Sequence, residues 1–183
     1  MDATTTQFTL KPPAQPTGQP AGGGNGRQLV VGISDAKVSN ERESVLVTHS
    51  LGSCIGVACH DPVAGVAGLL HFQLPDSTLD DARAAAQPLM FCDTGIAWLV
   101  NEMKKLGAKP SRTKVKLAGG AKMLATSAFD IGRRNHAAAR KQIWKQGLLI
   151  AAEECGGTSA RTLYLRVSDG AVRLRVGSQV VEL

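Results

Sequence analysis

The sequence predicts an α+β domain, layered from mostly antiparallel or mixed β-sheet with helices packed on one side. Three observations carry that expectation. Short runs rich in β-branched residues follow one another from Leu29 to His71 before any long helical pattern begins. A helical periodicity then fills the stretch from Ser77 to Leu106. Near the C-terminus, two more apolar runs flank Asp169-Gly170 as a hairpin. Strand runs joined by local turns, with helices inserted between them, describe an α+β fold better than a βαβ array.

Taken in order, residues 1–27 are rich in Thr, Pro, Gln and Gly and hold Phe8 as their only aromatic, so they cannot offset their ordering entropy. A disordered N-terminal tail is expected there, with residues 28–183 forming a single domain. Leu29–Ile33 and Ser44–Thr48 read as strands, separated by the polar residues Asp35 to Arg42. Cys54–Cys59 and Val66–His71 read as a hairpin turning at Asp61-Pro62 and Gly65, which makes four strands before the first helix. In the helical stretch, Ile96, Leu99, Val100, Met103 and Leu106 recur at helical spacing, Pro88 divides the segment, and Gly107 supplies the stop. Lys114–Ala118 is a further strand. Asn135 is read as the cap of a helix that turns Arg140, Lys141 and Lys145 to solvent. Leu148–Ala152, Thr162–Val167 and Ala171–Val176 complete the strands.

Bulk composition narrows the function classes. With 183 residues, 43% of them hydrophobic, the chain can bury one substantial core, which Val, Leu, Ile and Ala must fill because only 4% are aromatic. A net charge of +6 favours acidic partners, but the single Tyr164 lies in an apolar run, so the stacking surface of a nucleic-acid binder is missing and solubilising charge is the simpler reading. Cys54, Cys59, Cys92 and Cys155 have no CxxC spacing, which fits reduced thiols in the cytoplasm. Neither a secretory signal nor an apolar run long enough to span a bilayer is present.

Cys54 follows the turn-forming Ser50-Leu51-Gly52-Ser53 and opens an apolar run, a position that suits either a nucleophile or a small buried hydrophobe. Alternation places Ile55, Val57 and Cys59 on one face of that run, and Cys54, Gly56 and Ala58 on the other, where small side chains leave room for an approaching group. Cys59 is then the core cysteine. His60 is excluded as a partner, since six extended residues at about 3.3 Å each carry it roughly 20 Å away. With the turn at Pro62–Gly65, opposite residues sum to about 127, so His71 faces residue 56 and stands diagonal to Cys54. That register favours His71 over His49, the rival base on the entering turn. His136 has no local link to the thiol.

The segments Thr48-His-Ser-Leu-Gly-Ser-Cys54, His71-Phe-Gln-Leu-Pro75, Ile131-Gly-Arg-Arg-Asn135, and Gly156-Gly157 followed by Arg161 together resemble the CheD family of chemoreceptor glutamine deamidases, in order from Leu29 to the C-terminus. The resemblance implies a cysteine-hydrolase-like deamidase fold. It makes Cys54 the nucleophile, His71 the acid-base group and Thr48 the residue that orients the imidazole, with the backbone N–H groups of Ser53 and Cys54 as oxyanion donors. The implied reaction converts receptor glutamines to glutamate through a thioester and needs no metal or organic cofactor. The implied partners are methyl-accepting chemotaxis receptors and a CheC-type phosphatase, with no nucleic acid and no membrane insertion. Cys92 and the Glu153-Glu154-Cys155 stretch depart from the family's usual pattern without touching the implied triad.

Other readings stay open on residues alone. The same Cys-His chemistry would serve a protease or a free-glutamine amidase. A non-catalytic chemotaxis adaptor that binds receptors or a CheC-type phosphatase needs only the basic surface. A metal site built from His49, Cys54, Cys59, His60 and His71 is weakened because Cys59 faces away from Cys54. Gly119-Gly120-Ala121-Lys122 lacks the spacing of a phosphate loop.

Overall fold

A computed structural model describes residues 27–123 and 130–183. In chain order its strands are β1 (Gln28–Val31), β2 (Asp35–Ser39), β3 (Val45–Leu51), β4 (Ile55–Asp61), β5 (Val66–Phe72), β6 (Lys114–Gly119), β7 (Leu149–Cys155), β8 (Arg161–Arg166), β9 (Val172–Val176) and β10 (Gln179–Glu182). The helices are α1 (Asp81–Ala86), α2 (Cys92–Lys105) and α3 (Ile131–Lys145). Two five-stranded sheets result, one in the order β1-β3-β8-β9-β10 and the other in the order β2-β5-β4-β6-β7. Among the described strands, β1 with β3 and β6 with β7 run parallel and the other pairs are antiparallel. The α+β class predicted from sequence is the observed one.

Strands β4 and β5 are buried along their whole length because each face meets a different layer. On one face Ile55, Val57, Cys59, Leu70 and Phe72 pack with Ile96, Leu99 and Met103 of α2 and Ile143 of α3. On the other, Ala58, Ala67 and Leu69 pack with Leu46, Leu163, Leu165 and Leu174 of the second sheet. The alternation predicted for β4 is therefore observed. The group that approaches its small-residue face is a whole sheet: a Cβ at Gly56 would lie 2.9 Å from Leu51 Cδ1 and 3.3 Å from Leu163 Cδ1.

Several predicted elements are corrected. The polar stretch Asp35 to Arg42 contains β2, an edge strand paired with β5 from Asp35↔His71 to Ser39↔Ala67, so five strands precede the first helix. Backbone pairing outweighs its polar composition, and Ala36 and Val38 still join the helix-side core. Strand β10, unread in the sequence, is exposed throughout and held by its ladder to β9. Ile33 lies in the turn between β1 and β2, where Ser34 takes φ 55° and the chain crosses between sheets. Pro88 does divide the helical stretch, opening a short 3-10 turn at Pro88–Met90 between α1 and α2. Asn135 does not cap a helix. Asp130 caps α3 by accepting the Arg133 N–H at 3.0 Å, while Asn135 sits inside the helix with no exposed surface. The tail expected over residues 1–27 lies outside the described residues, apart from Arg27.

Candidate active site

The site forms where the two sheets face each other at the open end of the β4–β5 hairpin. His71 is on the inter-sheet face of β5, and Thr48 projects from β3 of the opposite sheet; neither has exposed surface. Thr48 Oγ1 and His71 Nδ1 are hydrogen-bonded at 2.7 Å. That bond spans the inter-sheet core, so sheet packing itself aims the imidazole. The other ring nitrogen, Nε2, is buried and has no hydrogen-bond partner, Cys54 sulfur included. Burial pushes the His71 pKa down to about 4, so the ring is neutral near pH 7.

The register predicted from the turn holds in the structure: Gly56 is opposite His71 and Ile55 opposite Phe72. Cys54, however, is not part of the strand. It occupies a bend one residue before β4, after a shift in the β3–β8 ladder between Thr48 and Leu51 and a positive φ of 58° at Ser50. An ideal ladder carried one step past Ile55↔Phe72 would set Cys54 diagonal to His71, at roughly 7–8 Å between backbone positions.

Backbone contacts hold the bend. Gly120 N–H donates to the Cys54 carbonyl at 2.8 Å and Ala121 N–H to the Gly52 carbonyl at 2.7 Å. Gly119 takes φ 118°, and a Cβ there would collide with the Cys54 carbonyl oxygen, so only glycine fits. Among the described residues, neither the Ser53 nor the Cys54 N–H donates to a backbone carbonyl. Burial raises the Cys54 thiol pKa, and its own backbone N–H offsets part of that rise. Burial thus favours the uncharged thiol at Cys54 and the neutral imidazole at His71.

The other candidates separate from this site. His49 is exposed beyond Thr48, and His60 hydrogen-bonds the Val167 carbonyl at 3.2 Å. His136 lies against Glu153 at 2.8 Å on the surface of α3 and β7. Cys59 and Cys155 are pushed up to about 12 and Cys92 higher still, each mainly by burial. Among the described residues no group of three or more His, Cys, Asp or Glu side chains converges as a metal site would require.

A protein of Solibacter usitatus named probable chemoreceptor glutamine deamidase CheD is 46% identical over 157 residues, covering 85% of this chain and 93% of that protein. A family model described as CheD chemotactic sensory transduction matches residues 73–176. The chain belongs to the CheD family. A second CheD relative, from Syntrophus aciditrophicus and also named probable chemoreceptor glutamine deamidase, is 47% identical over 79% of this chain and 91% of its own length. Among solved structures, the Bacillus licheniformis hypothetical protein YfiH has a TM-score of 0.44 and 14% identity, over 65% of this chain and 49% of that one.

Within this CheD chain, sequence reasoning undervalued two features. The glycine pairs are joined beside the Cys54 bend: Gly120 holds the Cys54 carbonyl, and Arg161, 5% exposed, donates to the Gly119 carbonyl at 3.1 Å and the Gly156 carbonyl at 2.6 Å, fastening the pairs together. Asn135, read as a helix cap, instead donates from Nδ2 to the carbonyls of Ser53 at 3.0 Å and Gln73 at 2.7 Å. The available signal was its place in the Ile131–Asn135 motif, whose role no local pattern could supply.

Proposed function

We propose that this protein deamidates glutamine side chains on the cytoplasmic helices of methyl-accepting chemotaxis receptors, with Cys54, His71 and Thr48 as its triad. The observation that carries the reading is the buried Thr48–His71 bond, which leaves Nε2 as the ring nitrogen without a partner, at the end of the hairpin that Cys54 precedes by one residue. The names of the CheD relatives support the substrate class.

In the productive tautomer Nδ1–H donates to Thr48 Oγ1, and Nε2 is the base. Nε2 takes the thiol proton as sulfur attacks the amide carbon, and the Ser53 and Cys54 N–H groups receive the developing oxyanion. Nε2–H then passes its proton to the amide nitrogen, the C–N bond breaks, and ammonia leaves a thioester on Cys54. Water, losing a proton to Nε2, attacks that thioester; collapse yields glutamate and returns the proton to sulfur. A neutral hydroxyl stabilises imidazolium less than a carboxylate would, so Thr48 chiefly orients the ring. In this reading the protein works in the cytoplasm, and a CheC-type phosphatase docks on the same face; no helix among the described residues is long and apolar enough to cross a membrane.

The test incubates a receptor cytoplasmic fragment with wild type and with Cys54→Ala, and maps glutamine-to-glutamate conversion by peptide mass. Wild type should convert glutamines, and Cys54→Ala none. Conversion by neither would defeat the deamidase reading, and equal conversion by both would remove Cys54 as nucleophile.

A further inference from the structure

We infer that Asn135 is a positioning residue for this reaction, bridging the open end of the β4–β5 hairpin and orienting the Ser53–Cys54 peptide. The inference rests on the reading that Cys54 and His71 react together. The ladder between β4 and β5 ends at Ile55↔Phe72, so both the nucleophile and the segment leaving the histidine lie just beyond it. Continuing the same register sets residue 54 against residue 73. Across that mouth the Asn135 amide donates one N–H to the Ser53 carbonyl at 3.0 Å and the other to the Gln73 carbonyl at 2.7 Å, replacing the missing rung from α3.

The amide's orientation is decided by its partners. Both are carbonyl oxygens that can only accept, so Nδ2 must face them and a flipped amide would set oxygen against oxygen. Oδ1 is consequently left buried without any partner. An interior asparagine is also a poor helix residue, and the rest of the buried face of α3 is Gly132, Ala139 and Ile143. Helix packing therefore gives no reason for a polar group here, and an orphaned acceptor is a cost. The two bonds to the site are what the residue supplies.

Their chemical consequence follows from peptide geometry. In a trans peptide the C=O and N–H point in opposite directions, so tying the Ser53 oxygen to α3 turns the Cys54 N–H away from the helix. That N–H, which works against burial to lower the Cys54 thiol pKa, is one of the two proposed oxyanion donors. A bond accepted at the carbonyl also polarises the same peptide and strengthens its N–H as a donor. Asn135 thereby acts on the reacting atoms through Cys54 N–H without touching them.

The test compares wild type, Cys54→Ala, Asn135→Leu and Ala139→Gly, the last loosening the same helix without removing either bond. Deamidation of the receptor fragment is measured per folded molecule, alongside the pH profile of Cys54 alkylation by iodoacetamide. For Asn135→Leu, kcat should fall roughly ten- to hundredfold with KM within about threefold, and the alkylation profile should move to higher pH. Ala139→Gly should keep the wild-type kcat and profile despite a lower Tm. Wild-type kcat in Asn135→Leu overturns the inference, as does an equal loss in Ala139→Gly, which would mean that helix stability alone is at work. Should Asn135→Leu not fold, Asn135→Ala takes its place; failure of both to fold assigns Asn135 to stability and also overturns it. A Cys54→Ala protein that still deamidates defeats the underlying reading, a result distinct from a fully active Asn135→Leu.

Discussion

Asp61 and His71, at the two ends of the β4–β5 hairpin, are equally buried and oppositely satisfied. At the turn end Asp61 has no exposed surface, and its carboxylate accepts the N–H groups of Val63, Ala64 and Lys109 and the Arg112 guanidinium. At the open end His71 is as deeply buried, yet its Nε2 has no partner. Burial acts on both, but at Asp61 the guanidinium and backbone donors overcome it and hold the carboxyl well below its usual range. At His71 burial acts unopposed and keeps the ring neutral. One hairpin thus uses its polar groups for stability at one end and leaves one uncommitted at the other, where the proposed reaction moves a proton.

The largest effect should come from the uncommitted end. His71→Ala should lower kcat on receptor fragment by roughly 10³-fold, because the acid-base group is gone, whereas Thr48→Val should cost roughly tenfold by loosening the ring. Peptide mass mapping at early times measures both. Equal losses would show that Thr48 does more than orient, and would blur the contrast between a reacting group and its support.

At the satisfied end the currency changes. Asp61→Asn should lower unfolding stability by about 2–4 kcal/mol, since it strands buried N–H groups and breaks a buried ion pair, while kcat per folded molecule stays at the wild-type value. Urea denaturation beside the deamidation assay checks this. A Cm that does not move would erase the distinction between the ends.

A smaller effect separates them by pH. His71 is held at about 4 in the fold against an ordinary 6.5, so the unfolded chain takes the proton first. Stability should be full above about pH 6.5, fall as pH drops toward about 4, and flatten below, a loss of about 2 kcal/mol by pH 5. His60, also lowered by burial, adds to the same window. Asp61 loses its contribution only below its ordinary 3.8, as acid reaches the depressed folded value. Denaturant midpoints from pH 7 to 3 should show that His71→Ala flattens most of the upper window and Asp61→Asn the lower one.

The hairpin that carries His71 is legible in the sequence because its two strands are neighbours in the chain. A hairpin with an identifiable turn places His71 opposite Gly56, and period-two alternation sends Cys59 to the helices, as observed. Strand β2 is hidden in the sequence because composition marks Asp35 to Arg42 as polar, while its ladder to β5 depends on backbone groups that composition does not report. Asn135 was misread for a related reason: a polar residue near a helix start resembles a cap until its contacts, 82 and 62 residues away, are known.

By itself the sequence determined the α+β class, the β4–β5 register, the core role of Cys59, and the motifs that mark the CheD family. Local periodicity, turn chemistry and residue identity suffice for these, because each is expressed within a few neighbouring residues. Tertiary structure alone decided that the strands divide into two sheets, that Thr48 reaches His71 from the opposite one, and that Asn135 closes the hairpin mouth. Those contacts depend on how layers pack, and packing joins residues whose separation along the chain leaves no periodic trace.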